Sequence, residues 1–468
     1  MAVKIALPKG RLLRKTAAML QKAEWGLDDY TSRTSYYRPI SEKFPELLIR
    51  VFNEKDIPIQ IAMGNYDLGI CCLDWIEELL VKYPSSNIVK VRDLAYGRGA
   101  LYIASVTPLD TLCANGNGTP VRIASEYPNL AESYGLKKRL SRFSVFPVRG
   151  AAEAYPPENA DMALLSAKKG EELAEKGMWS CAREFEYSAY LIANRESSAT
   201  KHLDAIIGSI CDILPEVETG KSGAEEVIQN VTPGPARIKI IDTKTVRLAL
   251  PDGHQQEQTV NILNKAGIPI DGYPSDTGVR RPEIGVKGVS VKVIRPQDMP
   301  LQVANGNFDI AITGRDWLVE LKNQFPSSPV EELLDLKLRK VRIVAVVHND
   351  LNVDDVAGLR EWAAATPEPL RVASEYINIA DKYARDNHLG HYQVIPTYGA
   401  SEAFLPDDAD LLIENTETGR TIARHNLKII ETIFESTACL IGNTDAAVDP
   451  AKARIIAAVT DKLRRAVE

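Results

Sequence analysis

Residues 56–75 read DIPIQIAMGNYDLGICCLDW, and residues 298–317 read DMPLQVANGNFDIAITGRDW. Half of these positions are identical, so the chain carries an internal duplication. The register extends in both directions. VKIALPKG from Val3 returns as VRLALPDG from Val246, and VRIASEYPNLAESY from Val121 returns as LRVASEYINIADKY from Leu370. ADMALLSAKKGEELA from Ala160 returns as ADLLIENTETGRTIA from Ala409. The offset is a little over half the chain, which means two whole domains in tandem rather than a stack of short repeats.

Within each copy, short apolar runs alternate with amphipathic stretches. KIAL, LLIRVF, YDLGIC, ALYIASV, VRIAS, FSVFPV and DMALL read as strands. LRKTAAMLQKA, LDWIEELLVKY and PNLAESYGLKKRL have helical spacing. The alternation predicts the α/β class, with each copy built of two lobes whose sheets are mostly parallel and flanked by helices. The first copy is expected over 1–213, with lobe I at 1–106 plus 180–213 and lobe II at 107–179. A Pro- and Gly-punctuated linker is expected over 214–244. The second copy is expected over 245–468, with lobe I at 245–348 plus 428–468 and lobe II at 349–427.

Composition narrows the function classes. A formal charge of -7, with charged residues at 25% and no concentrated basic run, gives no nucleic-acid surface. No apolar run reaches the roughly 20 residues of a membrane span, and MAVKIALPKGRLL is interrupted by Lys9 and Arg11 too early for a secretory signal. A cytoplasmic location is expected. The six cysteines show no paired spacing, so buried thiols are expected rather than zinc or disulfides.

The sharpest chemical pattern is in the second copy. ADLLIE reads as a buried strand ending in an acid, NTETGR as a small polar loop, and TIARHNL as the start of a helix. Such a loop gathers backbone N–H groups at a helix start, where phosphate is favoured. The same pattern also fits a plain capped turn.

Several segments in fixed order are more specific than any one loop. IALPKGRLL, DIPIQIAMGNYDLGICCLDW, DLAYGRGALYIA, IASEYPNLAESY, ADLLIENTETGRTIARHNL and ESTACLIGN together resemble the catalytic part of ATP phosphoribosyltransferase, the family that opens histidine biosynthesis. The resemblance covers nearly all of both copies. It implies lobes like those of type II periplasmic binding proteins, ATP and phosphoribosyl pyrophosphate as substrates, and Mg2+ on the pyrophosphate with no side-chain ligand assigned. It also places the phosphoribosyl loop on Glu414, Asn415, Thr416, Glu417, Thr418, Gly419, Arg420 and Thr421. The first copy reads LLSAKKG over the matching residues 164–170 and lacks both the acid and the Thr pattern.

Losses run the other way at the amino-terminal motif. The first copy keeps Lys9, Gly10 and Arg11 where the second has Asp252, Gly253 and His254, and it keeps DLAYGRG where the second has DLKLRK. The second copy keeps Arg295, Pro296, Asp298 and Pro300, whereas the first has Asn53 in place of Arg295. These complementary losses imply one composite site in a built-in pseudo-dimer, with Arg295, Lys9 and Arg11 as catalytic cations and Arg33, Arg38, Arg98 and Glu375 as ATP-side residues. Glu126 and Glu375 fit either substrate contact or helix capping. Asp74 and Asp316 read as caps, with Trp75 and Trp317 as anchors.

The expected chemistry is attack of adenine N1 on the anomeric carbon. Positive charge grows on the ribose and negative charge on the departing pyrophosphate, which asks for acids beside the sugar and cations beside the diphosphate. No third, histidine-sensing domain is expected. A homo-oligomer or a separate regulatory subunit stays open, as do two other functions: an inactive nucleotide or phosphosugar sensor, and transfer to another acceptor base.

Overall fold

The computed structural model describes residues 2–27, 29–31, 37–107, 120–214, 244–275 and 278–468. Arg33, Cys113 and nearly all of the expected linker lie outside the described residues. The chain divides into two compact units.

The first unit is built on two five-stranded sheets. One has the order β2-β1-β3-β10-β4, from β1 (Lys4–Pro8), β2 (Leu48–Phe52), β3 (Leu68–Cys72), β4 (Ile88–Asp93) and β10 (Ala189–Asn194). β1 runs parallel to β2 and β3, and β10 runs antiparallel to β3 and β4. The other has the order β7-β6-β8-β5-β9, from β5 (Gly99–Ser105), β6 (Val121–Ser125), β7 (Phe143–Pro147), β8 (Met162–Ala167) and β9 (Trp179–Tyr187). β6 is parallel to β7 and β8, while β5 is antiparallel to β8 and β9. All five residues of β3 are buried, as expected of a central strand covered on both faces.

A lobe boundary at 106 is therefore corrected: β5 pairs in the second sheet, and the change of sheet falls at 94–98. There Ala95 and Gly97 have φ of 58° and 69°. A Cβ on Gly97 would lie 2.6 Å from Leu12, so a left-handed backbone and lack of space both call for glycine.

The second copy repeats the topology without the break. Its strands are β11 (Val246–Pro251), β12 (Ile270–Asp271), β13 (Glu283–Ile284), β14 (Val289–Ile294), β15 (Ile310–Gly314), β16 (Val330–His348), β17 (Leu370–Ser374), β18 (Tyr392–Pro396), β19 (Leu411–Thr416) and β20 (Leu427–Asn443). β12 and β13 pair as a small ribbon, and the others form one eight-stranded sheet of order β14-β11-β15-β20-β16-β19-β17-β18. β16 and β20 each cover what two strands cover in the first copy. Register shifts in their pairing absorb Lys337 and Arg339, whose φ values of 54° and 49° repeat those of Ala95 and Gly97. One core lies under helices Gln256–Lys265 and Pro450–Val467 (Leu263, Val459, Leu463), and another gathers Trp317, Val372, Tyr376 and Ile413.

Each unit includes a short segment of the other copy. Thr397–Phe404 belongs to the first unit, and Val148–Asn159 to the second. In the first unit Phe404 meets Phe52 edge to face at 5.0 Å, and the Asn53 amide donates to the Tyr398 carbonyl. In the second unit the equivalent segment is held by charge. Glu153 pairs with Arg280 at 3.0 Å, and Glu158 pairs with Lys292 at 2.6 Å and Arg281 at 3.1 Å. Burial pulls Lys292 down to about 8, against the pull of Glu158. Glu158→Gln weakens a charge-assisted bond at a buried ammonium, for a loss of about 2 kcal/mol. In calorimetry the second unit should then melt about 4–8 °C lower, and an unchanged transition would deny the pair any holding role.

Candidate functional site

The residues that carry chemistry in the second unit sit where parallel strands end, the usual ligand side of α/β sheets. β11 delivers Asp252 and Gly253, β14 delivers Arg295, β15 ends in Thr313 and Gly314, and β17 is followed by Glu375. β19 carries Glu414, Asn415 and Thr416 within the strand, so the true loop is only 417–419, and the helix is confined to Arg420–Arg424. This corrects a longer polar loop and a longer helix.

The loop is tightly organised. Thr416 is buried, and its hydroxyl accepts from the Gly419 amide at 2.9 Å. Gly419 has φ +75°, a conformation that favours glycine immediately before the helix. Glu414 is half-buried and accepts from the Asn415 amide at 2.9 Å. Glu417 pairs with Arg339, one of the two left-handed residues of β16, at 2.9 Å. Thr418, Arg420 and Thr421 are exposed.

Behind the loop lies a polar chain that the sequence reading missed. Asn415 donates its side-chain amide to the Tyr376 hydroxyl at 2.9 Å, and Tyr376 donates to Asp316 at 2.7 Å. Asp316 also accepts from the Ser436 hydroxyl of β20 at 2.7 Å. Burial and the Asp316 charge hold the Tyr376 phenol well above its ordinary range, so it stays a donor. Trp317 stacks on Tyr376 with centroids 4.4 Å apart. The signal was present: Tyr127 and Tyr376, Asp74 and Asp316, and Trp75 and Trp317 are all retained in both copies.

The capping readings change accordingly. Glu320 accepts the Asn378 and Ile379 amides at 2.8 and 2.9 Å, and Glu78 does the same for Asn129 and Leu130. These acids, not Glu375 or Glu126, serve the helix starts. Glu126 pairs with Lys55 at 3.1 Å, and Glu375 is half-buried.

Arg295 is 40% exposed and stands 3.4 Å from Asp252. Burial works against the Asp252 charge, yet Arg280, Arg295 and the Gly253 amide together hold its carboxyl below the usual range. Asp298 accepts the Arg149 amide at 2.9 Å, and the Arg149 guanidinium lies 5.3 Å from the Trp317 ring centre. A Cβ on Gly150 would lie 2.8 Å from Arg295 Nε, so Arg295 lies across a glycine of the segment Val148–Asn159. Contacts thus run from Arg295 through Gly150 and Arg149 to Trp317, Tyr376 and Asn415.

Lys9, Arg11, Arg38 and Arg98 belong to the first unit. Lys9 donates to the Tyr37 hydroxyl. Arg11 is paired with Glu54 at 3.1 Å and Asp74 at 2.7 Å and lies over the Tyr187 ring. Burial disfavours the Arg11 charge, but Asp74 and Glu54 more than restore it. Arg38 is half-buried and Arg98 exposed. At the place of the loop, the first unit has Leu165 buried where the second has Glu414, and Ser166 is bonded to Tyr187 where the second has Asn415. Among the described residues no three His, Cys, Asp or Glu side chains gather as a metal site, and no helix is long and apolar enough to cross a membrane.

A family model described as HisG: ATP phosphoribosyltransferase matches residues 53–215 and again 295–465, one match in each copy. The ATP phosphoribosyltransferase of Pelotomaculum thermopropionicum is 32% identical over 217 residues, 44% of this chain and 68% of that protein. That of Chlorobium luteolum is 32% identical over 229 residues, 48% of this chain and 72% of that protein. Among solved structures, the ATP phosphoribosyl transferase (HisG:HisZ) complex from Thermotoga maritima aligns with a TM-score of 0.39 and 22% identity, over 48% of this chain and 98% of that one. The periplasmic aliphatic sulphonate binding protein SsuA from Escherichia coli aligns with a TM-score of 0.31 and 12% identity, over 48% and 73%.

Proposed function

Since the chain belongs to the ATP phosphoribosyltransferase family, pentosyltransferases that join N1 of ATP to C1 of phosphoribosyl pyrophosphate, we propose that its second unit carries the transfer site. The observation behind this assignment is the asymmetry of the loop. Residues 414–421 keep the acid, the threonines and the left-handed Gly419, while the first unit has Leu165, Ala167 and Lys169 at three of those positions.

In this reading the sugar diphosphate lies against 414–421, with Thr416 and Gly419 fixing the loop and Asn415 tied back through Tyr376. Glu414 faces the positive charge that grows on the ribose as the C1–O bond to pyrophosphate breaks. Arg295 faces the negative charge gathering on the leaving pyrophosphate. Adenine N1 carries no proton at neutral pH, so no general base is required, and positioning supplies most of the rate. Mg2+ commonly binds through one or two carboxylates plus substrate phosphates. Glu414 fits as one such carboxylate, with the diphosphate providing the other oxygens, and bound Mg2+ would neutralise part of the diphosphate charge.

Glu375 is retained as the ATP-side acid, and Arg38 and Arg98 as weaker ATP-side candidates. Arg11 drops out as a substrate cation, because its charge is already matched by two acids inside the first unit, whereas Lys9, whose partner is the neutral Tyr37 hydroxyl, stays a candidate. The test is to mix full-length protein with Mg2+, ATP and phosphoribosyl pyrophosphate, adding pyrophosphatase to draw the reaction forward. Phosphoribosyl-ATP absorbance should rise. Binding of either substrate without product would return the sensor reading, and product only with other bases would change the acceptor.

A further inference from the structure

The first copy supplies one more basic group to the second unit, and nothing in the loop or in Arg295 accounts for it. Arg149 lies in the segment Val148–Asn159, which the second unit includes. Its backbone amide is fixed by the buried Asp298 carboxylate, and its guanidinium is held over Trp317. Arg280 and Arg281, the neighbouring arginines of this unit, are spent on Glu153, Asp252 and Glu158. Arg149 instead makes no ion pair among the described residues and is half-exposed.

The two units solve the same problem differently. In the first unit the cation over the equivalent ring, Trp75, is Lys55 of the same copy, 4.6 Å from the ring centre and paired with Glu126. In the second unit the Lys55 position is Gln297 and the cation comes from the included segment. A guanidinium with its backbone clamped, its centre held over an aromatic ring and its charge left unmatched is ready for an anion. Gly150, the next residue, is where Arg295 lies, which puts the two arginines on adjoining residues of one surface.

We propose that Arg149 is a substrate-positioning residue of the second unit that binds a polyphosphate together with Arg295. The proposal rests on the phosphoribosyltransferase reading for the identity of the anion, which is either the diphosphate of phosphoribosyl pyrophosphate or the triphosphate of ATP. Arg149→Ala and Arg149→Lys in the full-length protein separate these sources. Loss of the guanidinium should raise one KM by about 10- to 100-fold. A rise confined to phosphoribosyl pyrophosphate identifies the diphosphate, and one confined to ATP identifies the triphosphate. Calorimetric titration with inorganic pyrophosphate, with ATP and with Mg2+ present should weaken for the matching anion about 10-fold or more in Arg149→Ala, and Arg149→Lys should recover part of it. Unchanged KM values and unchanged anion affinities would overturn the proposal. So would a lysine variant as impaired as the alanine one, since that would mark packing on Trp317 rather than charge. If the wild-type protein makes no phosphoribosyl-ATP, the catalytic reading fails by itself, and the two anion titrations still decide the role of Arg149.

Discussion

Glu414→Leu should remove transfer and leave the fold in place, with kcat/KM falling by about 10²–10³ because a fixed charge facing the developing transition state is lost. The first copy supplies the structural control. Leu165 occupies the same place in β8 and is buried there, so this strand tip accepts leucine without losing its pairing to β5 or β6. Melting of the second unit is expected to stay within about 2 °C of wild type, as for a substitution that breaks no buried network. Glu414→Gln separates charge from shape: it keeps the acceptor geometry toward the Asn415 amide but lacks the negative charge, and should be nearly as slow. Turnover of the leucine variant within tenfold of wild type would take Glu414 out of the chemistry.

The duplication and the α/β class were legible because buried parallel strands are short, continuous apolar runs, and KIAL, YDLGIC, VRIAS and DMALL all became strands. The strands that join the two sheets were not. WSCAREFEY forms β9 although it is rich in polar residues, and EYSAYLIAN, which reads as one strand, is cut at Ser188 in the first copy while its counterpart runs unbroken through β20. Such strands pair along their whole length but are only partly covered, so their stability comes from the ladder and leaves little hydrophobic period to read. The loop was legible from its Thr and Gly spacing. Its support was not, because Tyr376, Asp316 and Ser436 meet only through the fold. The segments that each unit takes from the other copy were also hidden, since VRGAAEAYPPEN and TYGASEAF look like ordinary turns.

The divergence of the copies follows a physical logic at one spot. In the first unit Asp74 is satisfied by Arg11 and the Tyr127 hydroxyl, and Glu54 joins the same guanidinium. In the second unit the residues at the Arg11 and Glu54 positions are His254 and Pro296, and Asp316 is satisfied by the hydroxyls of Ser436 and Tyr376. Cation and acid were exchanged together, as expected when either alone would strand a buried charge. Removal of both leaves Asp316 held by hydroxyls alone, directly behind the loop where the proposed substrate lies.

Arg11→Met therefore tests whether the amino-terminal motif of the first unit now serves structure. Glu54 and Asp74 are 6% and 0% exposed, and without the guanidinium they would face each other unpaired, at a cost of about 3 kcal/mol. The loss should depend on pH. Burial pushes the Glu54 carboxyl up to about 7, with Asp74 adding to the rise and Arg11 opposing it. An acid raised above its ordinary 4.5 gives stability that is complete below that value and is lost as pH climbs through 7. Removing Arg11 lifts Glu54 further, so the gap in melting temperature between variant and wild type should widen from pH 5 to pH 8. Arg11→Met combined with Glu54→Leu should regain much of the loss, because no acid is then left facing Asp74. Scanning calorimetry at the two pH values decides the stability claim, and an equal melting point for wild type and the single variant at both would sink it. Turnover measured well below the melting transition decides the rest: a folded Arg11→Met protein that has lost transfer would return Arg11 to the substrate.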